Sequence, residues 1–204
     1  MTDAVEILLI PKVSAMVREQ APGVRLRLFP IERMDVANEL DAGTLDLAIG
    51  VFSGGKGHHK RRVIHSEGFR MIFNADLVDV PEQPTLEDIR RWPLLLVEGG
   101  ASDPVRAALE RLKPPPQIAV QTPHLLAAPL IVARSPLVAL VHTRLALLFC
   151  DVYRLSARPA PAELGLPKGE LLLMWHPSSE AAPAHGWLRN LVVYALARLK
   201  SERD

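Results

Sequence analysis

The chain alternates along its length between short apolar runs and segments with apolar residues at helical spacing. The runs Leu45 to Val51, Leu94 to Val97 and Ile118 to Val120 are each bounded by Gly, Pro or polar residues, as expected for buried strands. Segments such as Asp103 to Leu112 and Pro183 to Leu199 have the period of amphipathic helices. Strands that alternate with helices predict an α/β architecture.

The first fifty residues predict a helix followed by a βαβ unit. Asp3 and Glu6 form a D-x-x-E capping pattern for a helix that ends near Gln20. The alternating run 24–29 then predicts a strand with one solvated face, and residues 32–42 predict a helix that stops at Gly43. With the strand 45–51, these elements predict two parallel neighbouring strands.

The order of elements predicts two lobes. Residues 1–74 with 175–204 form the first predicted lobe, and residues 75–174 the second, so the chain crosses twice between them. Ligands of α/β folds bind at strand ends, so we expect a small-molecule site between the lobes.

Composition narrows the function classes. The formal net charge of the 204-residue chain is +1, which argues against general nucleic-acid binding, and its one cysteine, Cys150, excludes an internal disulfide. No basic leader opens the chain, and the longest apolar run, 125–133, is too short to span a bilayer. We therefore expect a cytoplasmic protein with no membrane partner.

The joint Thr122-Pro123-His124 connects a predicted strand to an apolar helix, 125–133. Thr is a good N-cap and Pro suits the first helical position, so the unpaired N–H groups there would attract a carboxylate or another anion. This reading makes the joint one wall of a ligand pocket. The alternative is a well-capped core helix that binds nothing.

Four sequence motifs resemble the effector-binding domain of LysR-type transcriptional regulators. They are L-L-I-P-K-V at 8–13 with A-P-G-V-R-L-R at 21–27, L-D-A-G-T-L-D-L-A-I-G at 40–50, T-P-H-L-L-A-A-P-L-I-V-A at 122–133, and W-H-P-x-x-x-x-x-P-A-H-x-W-L-R at 175–189. The last two resemble the branch that responds to aromatic or flavonoid-like compounds. The resemblance implies two Rossmann-like lobes of the type 2 periplasmic binding protein fold with a cleft between them.

The resemblance also implies a function and a set of site residues. A small aromatic or carboxylate effector would bind in the cleft and control transcription, with DNA read only by a winged helix-turn-helix domain that this chain lacks. Homodimers or tetramers would form by packing lobe one on lobe two. In lobe one the effector-site positions correspond to the following residues: Thr2, Asp3, Pro30, Ile31, Val51 and Phe52. In lobe two they are Thr122, Pro123 and His124.

Further candidates follow two other strands of lobe two. Gly99 and Gly100 would let backbone approach a ligand, or they form a plain turn. His142 follows another strand end and is a further candidate for a residue that faces the cleft. Phe52 would stack on an aromatic ligand, or it covers the core.

Metal, cofactor and catalytic sites are not expected. His58-His59 and His65 suggest metal ligation, but adjacent histidines rarely converge on one ion and no carboxylate or Cys stands at ligand spacing. No nucleophile elbow, phosphate loop or carboxylate pair is recognisable. The alternatives to a sensor domain are a solute-binding protein of a transporter with the same fold, or an enzyme on this fold.

One departure from the family pattern concerns stability. The family's first strand precedes the helix that starts at Asp3, and only Met1 and Thr2 stand there. We therefore expect a first lobe with unpaired strand edges and low stability, unless upstream residues or a partner complete the sheet.

Overall fold

The structure is a computed structural model that describes residues 1–30, 34–51, 55–98 and 104–201. Four residues expected at the ligand site, Ile31, Phe52, Gly99 and Gly100, lie outside the described residues. In chain order the elements are α1 (Asp3–Gln20), α2 (Val36–Ala42), β1 (Ala48–Gly50), β2 (Lys60–Glu67), β3 (Phe69–Phe73), α3 (Leu86–Ile89), β4 (Leu94–Val97), α4 (Pro104–Glu110), β5 (Ile118–Thr122), α5 (Ala127–Val132), β6 (Val138–His142), α6 (Thr143–Tyr153), β7 (Ser156–Pro159), β8 (Gly169–Trp175) and α7 (Pro183–Ser201). Short 3₁₀ helices cover Ala162–Leu164 and Pro177–Ser179.

The chain divides into two compact units. Unit 1 comprises Met1–Ser66 and Glu170–Asp204, and unit 2 comprises Glu67–Gly169. Among the described residues, no helix combines the length and the apolar character needed to cross a bilayer.

Unit 1 is built on two long helices packed over a small sheet. The sheet has the strand order β1-β8-β2, and β1 pairs antiparallel with β8 through Ile49 and Leu173. Helix α1 buries four residues at a spacing of four, which places them on one face toward α7: Val5, Leu9, Val13 and Val17. Leu9 is 1% exposed, and burial of a leucine side chain contributes about 1.5 to 3 kcal/mol. The core therefore lies between the α1–α7 pair and the β1–β8 strands.

Two predictions for unit 1 are wrong. Residues 24–29 form no strand, and Val24 and Leu28 are exposed. An alternating pattern forms a strand only where a neighbour completes the ladder, and within the described ranges none does. The predicted parallel βαβ unit is therefore absent, because the described partner of β1 is the antiparallel β8.

The N-terminal helix also starts differently from the prediction. Its N-cap is Thr2, whose side chain makes no capping bond, while Asp3 and Glu6 lie in the first turn. The carbonyl oxygen of Thr2 accepts from the N–H groups of Val5 and Glu6 at 3.1 and 3.0 Å. The acidic residues therefore favour the helix through its dipole and form no capping box.

Unit 2 is a five-stranded sheet with the order β5-β4-β6-β3-β7. β4 lies parallel to both β5 and β6, whereas β3 is antiparallel to β6 and β7. Its core buries β3, β4 and β6 together with the inner faces of α3 and α4. Helix α3 begins with a capping box, since Thr85 and Asp88 each accept from the other's backbone N–H.

Candidate functional site

Three parallel strands of unit 2 end at the same edge of the sheet. β4 ends at Val97, which pairs with Thr122 at the end of β5, and the Glu98 N–H donates to the Thr122 carbonyl oxygen at 2.8 Å. β6 ends at His142, which pairs with Phe69 at the start of the antiparallel β3. The carboxyl ends of parallel strands are where α/β folds place ligand-binding groups. We call this part of unit 2, which includes Glu98, Thr122 and His142, the strand-end edge.

The prediction that Thr122 caps the following helix is wrong. Thr122 remains in β5, and its Oγ1 accepts from the His124 N–H at 3.1 Å, which forms a local turn. Helix α5 starts only at Ala127, its N-cap Leu126 makes no side-chain bond, and it has 6 residues. Pro123 is therefore an exposed turn residue and lies outside the helix. A helix this short gives no support to the anion site that the sequence predicts there.

Two polar groups of the turn remain available. The Thr122 hydroxyl is buried and accepts one bond, and its own hydrogen finds no acceptor among the described residues. The His124 imidazole is exposed and has no hydrogen-bond partner within the described part of the chain. A ligand at this turn would therefore meet one hydroxyl donor and one free imidazole.

His142 brings an aromatic surface to the strand-end edge. Its ring lies 4.3 Å from the Phe69 ring, centroid to centroid, and both side chains are half-buried. Burial lowers the pKa of His142, which favours the neutral form of its imidazole. Its Nδ1 is buried without a partner among the described residues. Gly169 closes the other side, because a methyl group at that position would lie 2.5 Å from His142 Cε1.

Helix α6 starts directly after His142 and is capped by Glu67 and Gly68, at the junction of β2 and β3. The Thr143 N–H and hydroxyl both donate to the Gly68 carbonyl oxygen, at 3.1 Å each. The Arg144 N–H donates to Glu67 Oε2 at 2.9 Å. Burial raises the pKa of Glu67, and the bond from Arg144 opposes that rise. These contacts fix the end of β6 and therefore the position of His142.

An ion pair follows the end of β4. Glu98 comes directly after β4, and its Oε1 accepts from Arg106 Nη2 of α4 at 2.7 Å. Gly99 and Gly100 lie outside the described residues, so their expected role stays a prediction.

The expected residues of unit 1 lie at element ends. Thr2 and the exposed Asp3 begin α1, exposed Pro30 follows the irregular segment 24–29, and Val51 follows β1 with 50% of its surface exposed. The N-terminal ammonium group of Met1 donates to the Phe29 carbonyl oxygen at 2.6 Å. This bond brings the start of α1 beside the segment that ends at Pro30.

Sequence reasoning missed a polar cluster in unit 1. The Asp41 carboxylate lies 2.5 Å from Lys56 Nζ and 2.8 Å from the Nε2 atoms of both His58 and His59. Hydrogen bonds from these three groups, of which the bond from Lys56 has the largest effect, hold the pKa of Asp41 well below its usual range. His176 Nε2 lies 4.0 Å from the same carboxylate. The adjacent pair His58-His59 was the available signal, but its partners lie far from it in sequence.

Comparison with known proteins identifies the family. The model of the LysR substrate binding domain matches residues 1–197. The transcriptional activator NahR of Pseudomonas putida is 28% identical over 195 residues, which are 94% of this chain and 64% of the relative. NagR of a Ralstonia species is 24% identical over 197 residues, 95% of this chain and 64% of the relative. The chain thus spans slightly less than two thirds of the length of these relatives.

Solved structures share the fold. The regulatory domain of MexT from Pseudomonas aeruginosa superposes with a TM-score of 0.79 at 23% identity, covering 95% of this chain and 96% of that one. The reduced regulatory domain of OxyR2 from Vibrio vulnificus gives 0.72 at 16% identity, covering 94% and 91%. These similarities confirm the expected α/β class and the type 2 periplasmic binding protein fold. Because the family model matches nearly the whole sequence, the chain belongs to the LysR substrate binding domain family.

Proposed function

We propose that the chain is the ligand-sensing domain of a LysR-type transcriptional regulator and that it binds a small aromatic or carboxylate effector. The observation that carries this proposal is the match of the LysR substrate binding model to residues 1–197. The relatives NahR and NagR are named as transcriptional activators, which favours a regulator over the solute-binding protein of a transporter. Units 1 and 2 are proposed to be the two effector-binding lobes.

The strand-end edge supports the proposed ligand class. The half-buried Phe69 and His142 rings, whose centroids lie 4.3 Å apart, make this edge partly aromatic, which is compatible with an aromatic ligand. The Thr122 hydroxyl hydrogen and the His124 imidazole are donors that a carboxylate or phenol oxygen would accept. An effector with an apolar ring and one polar end matches both parts. The residues Thr2, Asp3, Pro30, Ile31, Val51, Phe52, Gly99 and Gly100 remain proposed contacts.

Binding is proposed to act through differential affinity. An effector shifts the regulator between two arrangements only to the extent that it binds one of them more tightly. We propose that DNA is contacted by a separate winged helix-turn-helix domain, that the regulator works in the cytoplasm, and that this domain catalyses no reaction. Burial raises the pKa of the Cys150 thiol, which does not favour a nucleophilic role for that residue.

Self-association is proposed to involve α1 and α5. Helix α5 leaves Leu130 43% exposed, and Leu126, directly before the helix, is 49% exposed. Exposed leucines that are close together on a surface are typical of a contact between chains. We propose that α5 of one chain packs against α1 of another in a dimer or tetramer.

Thermal unfolding with a panel of benzoates, salicylates and flavonoids tests the proposed function. A ligand at about one hundred times its Kd stabilises the folded state by about 2.7 kcal/mol, which raises the Tm of a chain this size by roughly 5 to 10 °C. His124→Ala should reduce this rise and leave the unliganded Tm unchanged, because the side chain is exposed. The exposed neighbour Gln121 offers a matched control, since Gln121→Ala removes a polar strand side chain and should bind normally.

Three outcomes would count against the proposal. If no aromatic acid stabilises the chain, the effector class is wrong. Turnover of a panel compound would contradict a sensor without catalysis. A large loss of unliganded stability in His124→Ala would show that His124 supports the fold.

A further inference from the structure

Unit 1 contains a cluster of three histidines around one carboxylate, which we call the histidine cluster: Asp41, His58, His59 and His176. His58 Nε2 and His59 Nε2 each lie 2.8 Å from Asp41 Oδ1, and His176 Nε2 lies 4.0 Å from it. One ligand atom each from Asp41, His58 and His176 can be chosen so that all three lie within 4.8 Å of one another. The three imidazoles also contact one another, with centroid distances of 4.3 to 6.2 Å.

Buried contacts hold the members of the cluster in place. Asp41 stands in the last turn of α2, next to Leu40, which is buried against Ala48 and Met174. His176 follows directly after β8, whose Met174 pairs with Ala48. Helix α2 and the end of β8 are therefore joined by one small core, and the carboxylate and the third imidazole project from its rim.

The turn that carries His58 and His59 is fixed by Gly55. Gly55 has a φ of 96°, which suits only glycine, and a side chain there would lie 2.6 Å from Met174 Sδ. The close approach of this turn to Met174 brings both histidines to Asp41. The cluster is thus built by three separate chain segments.

His59 orients the carboxylate from beneath. Its side chain is fully buried, and its Nδ1 accepts from the Lys56 N–H at 2.9 Å. The ring hydrogen of a neutral His59 is therefore on Nε2, which donates to Asp41 Oδ1. A buried donor that fixes a carboxylate is the usual outer partner of a metal ligand.

The other two histidines can offer Nε2 as a lone pair. His58 is 46% exposed, so water can hold the hydrogen of its Nδ1. His176 Nδ1 lies 2.7 Å from Ser178 Oγ, which can accept that hydrogen. The Ser178 N–H also approaches this Nδ1, at 3.2 Å, and this weaker bond would be lost in the metal-binding tautomer.

We propose that Asp41, His58 and His176 bind a divalent transition-metal ion of the zinc class, with water as the fourth ligand. Zinc takes histidine nitrogen and carboxylate oxygen at about 2.0 to 2.2 Å in a tetrahedron, which sets the ligand atoms about 3.3 to 3.5 Å apart. The Asp41–His58 distance of 2.8 Å and the Asp41–His176 distance of 4.0 Å lie on either side of that value. A change of less than about 1 Å in each of these two distances would bring them to the tetrahedral separation.

Substitution of Lys56 should affect metal binding in the opposite direction to substitution of a ligand. Its ammonium group lies 2.5 Å from Asp41 Oδ2 and 2.8 Å from Asn38 Oδ1, on the carboxylate oxygen that faces away from the histidines. This positive charge opposes a cation at the site. Lys56→Met removes the charge and should therefore tighten metal binding, whereas loss of a ligand should weaken it.

Titration of the tag-free chain with Zn²⁺, followed by calorimetry, tests the proposal. One ion per chain is expected, with a Kd raised at least about ten-fold by His58→Ala, His176→Ala or Asp41→Asn. The matched control is Asp76→Asn, which makes the same change as Asp41→Asn at an exposed carboxylate of unit 2 and should bind as the wild type does. Co²⁺ provides a spectroscopic signature, since a tetrahedral site with nitrogen and oxygen ligands gives strong visible absorption.

The titrations distinguish a metal site from a folding defect and from unspecific binding. Each variant is first compared with wild type by circular dichroism in the presence of a chelator, so that a folding defect is recognised. Tighter binding by Lys56→Met together with weaker binding by the ligand variants supports the site. Absence of saturable binding, or equal weakening by Asp76→Asn, overturns it.

Discussion

Replacing Gly169 by alanine would drive a methyl group into the ring of His142. The methyl carbon would lie 2.5 Å from Cε1 and 3.1 Å from Nδ1, whereas ordinary contact begins at 3.4 Å. Gly169 has no positive φ, so its backbone accepts alanine and the cost is purely steric. The His142 ring cannot move freely, because the Phe69 ring lies 4.3 Å away.

The expected magnitude follows from two opposing contributions. Overpacking of a filled site costs about 1 to 3 kcal/mol. Gly→Ala at a compatible backbone gains about 0.4 to 1 kcal/mol by restricting the unfolded chain. The net loss lies between about 0 and 2.6 kcal/mol, and its middle value of about 1.3 kcal/mol lowers the Tm of a chain this size by roughly 3 to 5 °C.

A double-mutant cycle in urea isolates the contact. In a His142→Ala background the ring is gone, so Gly169→Ala should be neutral or slightly stabilising. Gly68→Ala is the matched control, because a methyl group there meets nothing within 4 Å and the residue lies at the same edge, where its carbonyl binds Thr143. An equal loss in both backgrounds, or a similar loss in Gly68→Ala, would refute the role assigned to His142.

Three further predictions concern single positions. Gly43 caps α2 with a φ of 70°, so Gly43→Ala should cost about 1 to 2 kcal/mol in urea denaturation, although a methyl group meets no neighbour there. Burial raises the pKa of Glu67 above its ordinary 4.5, so the folded state binds the proton more tightly than the unfolded chain, and stability falls as pH rises from 4.5 through the raised pKa. Glu67→Gln keeps an acceptor for the Arg144 N–H. The Tm of this variant minus the Tm of wild type should be larger at neutral pH than below pH 4.5. A difference in Tm that is the same at both pH values would contradict this prediction. Leu130→Glu should shift the chain toward monomer in sedimentation velocity if α5 forms the proposed contact, and an unchanged distribution would exclude it.

The local sequence pattern was sufficient to predict a strand that is buried on both faces. β4 begins and ends at the predicted residues, Leu94–Val97. Its apolar run is bounded by Pro93 and Glu98, and it pairs with β5 on one side and β6 on the other. For such strands the side-chain pattern and the tertiary structure require the same residues, so sequence alone defines them.

Pattern was insufficient where two local solutions compete. Thr122 suits both the end of a strand and the cap of a helix, because its hydroxyl bonds nearby N–H groups in either case. Pairing with Val97 retains it in β5, and its hydroxyl then serves the turn. Residues 24–29 are a related case, since their alternation has the strand period but the described residues supply no ladder partner. In both cases the decisive group lies elsewhere in the chain.

The two candidate sites differ in how much of this long-range information they need. At the strand-end edge, Thr122 and His142 are the last residues of β5 and β6, and His124 lies two residues beyond β5. Parallel strands bring their carboxyl ends together whatever the residues are. Sequence therefore predicts that Thr122, His124 and His142 lie at this edge without reference to any contact. The histidine cluster has no such rule, because His176 meets Asp41 only through the antiparallel pairing of β8 with β1. Ligand spacing in a sequence can therefore exclude only those metal sites whose ligands lie in one element. Here the carboxylate that contacts His58 and His59 is Asp41, which lies in α2, well before them in the sequence.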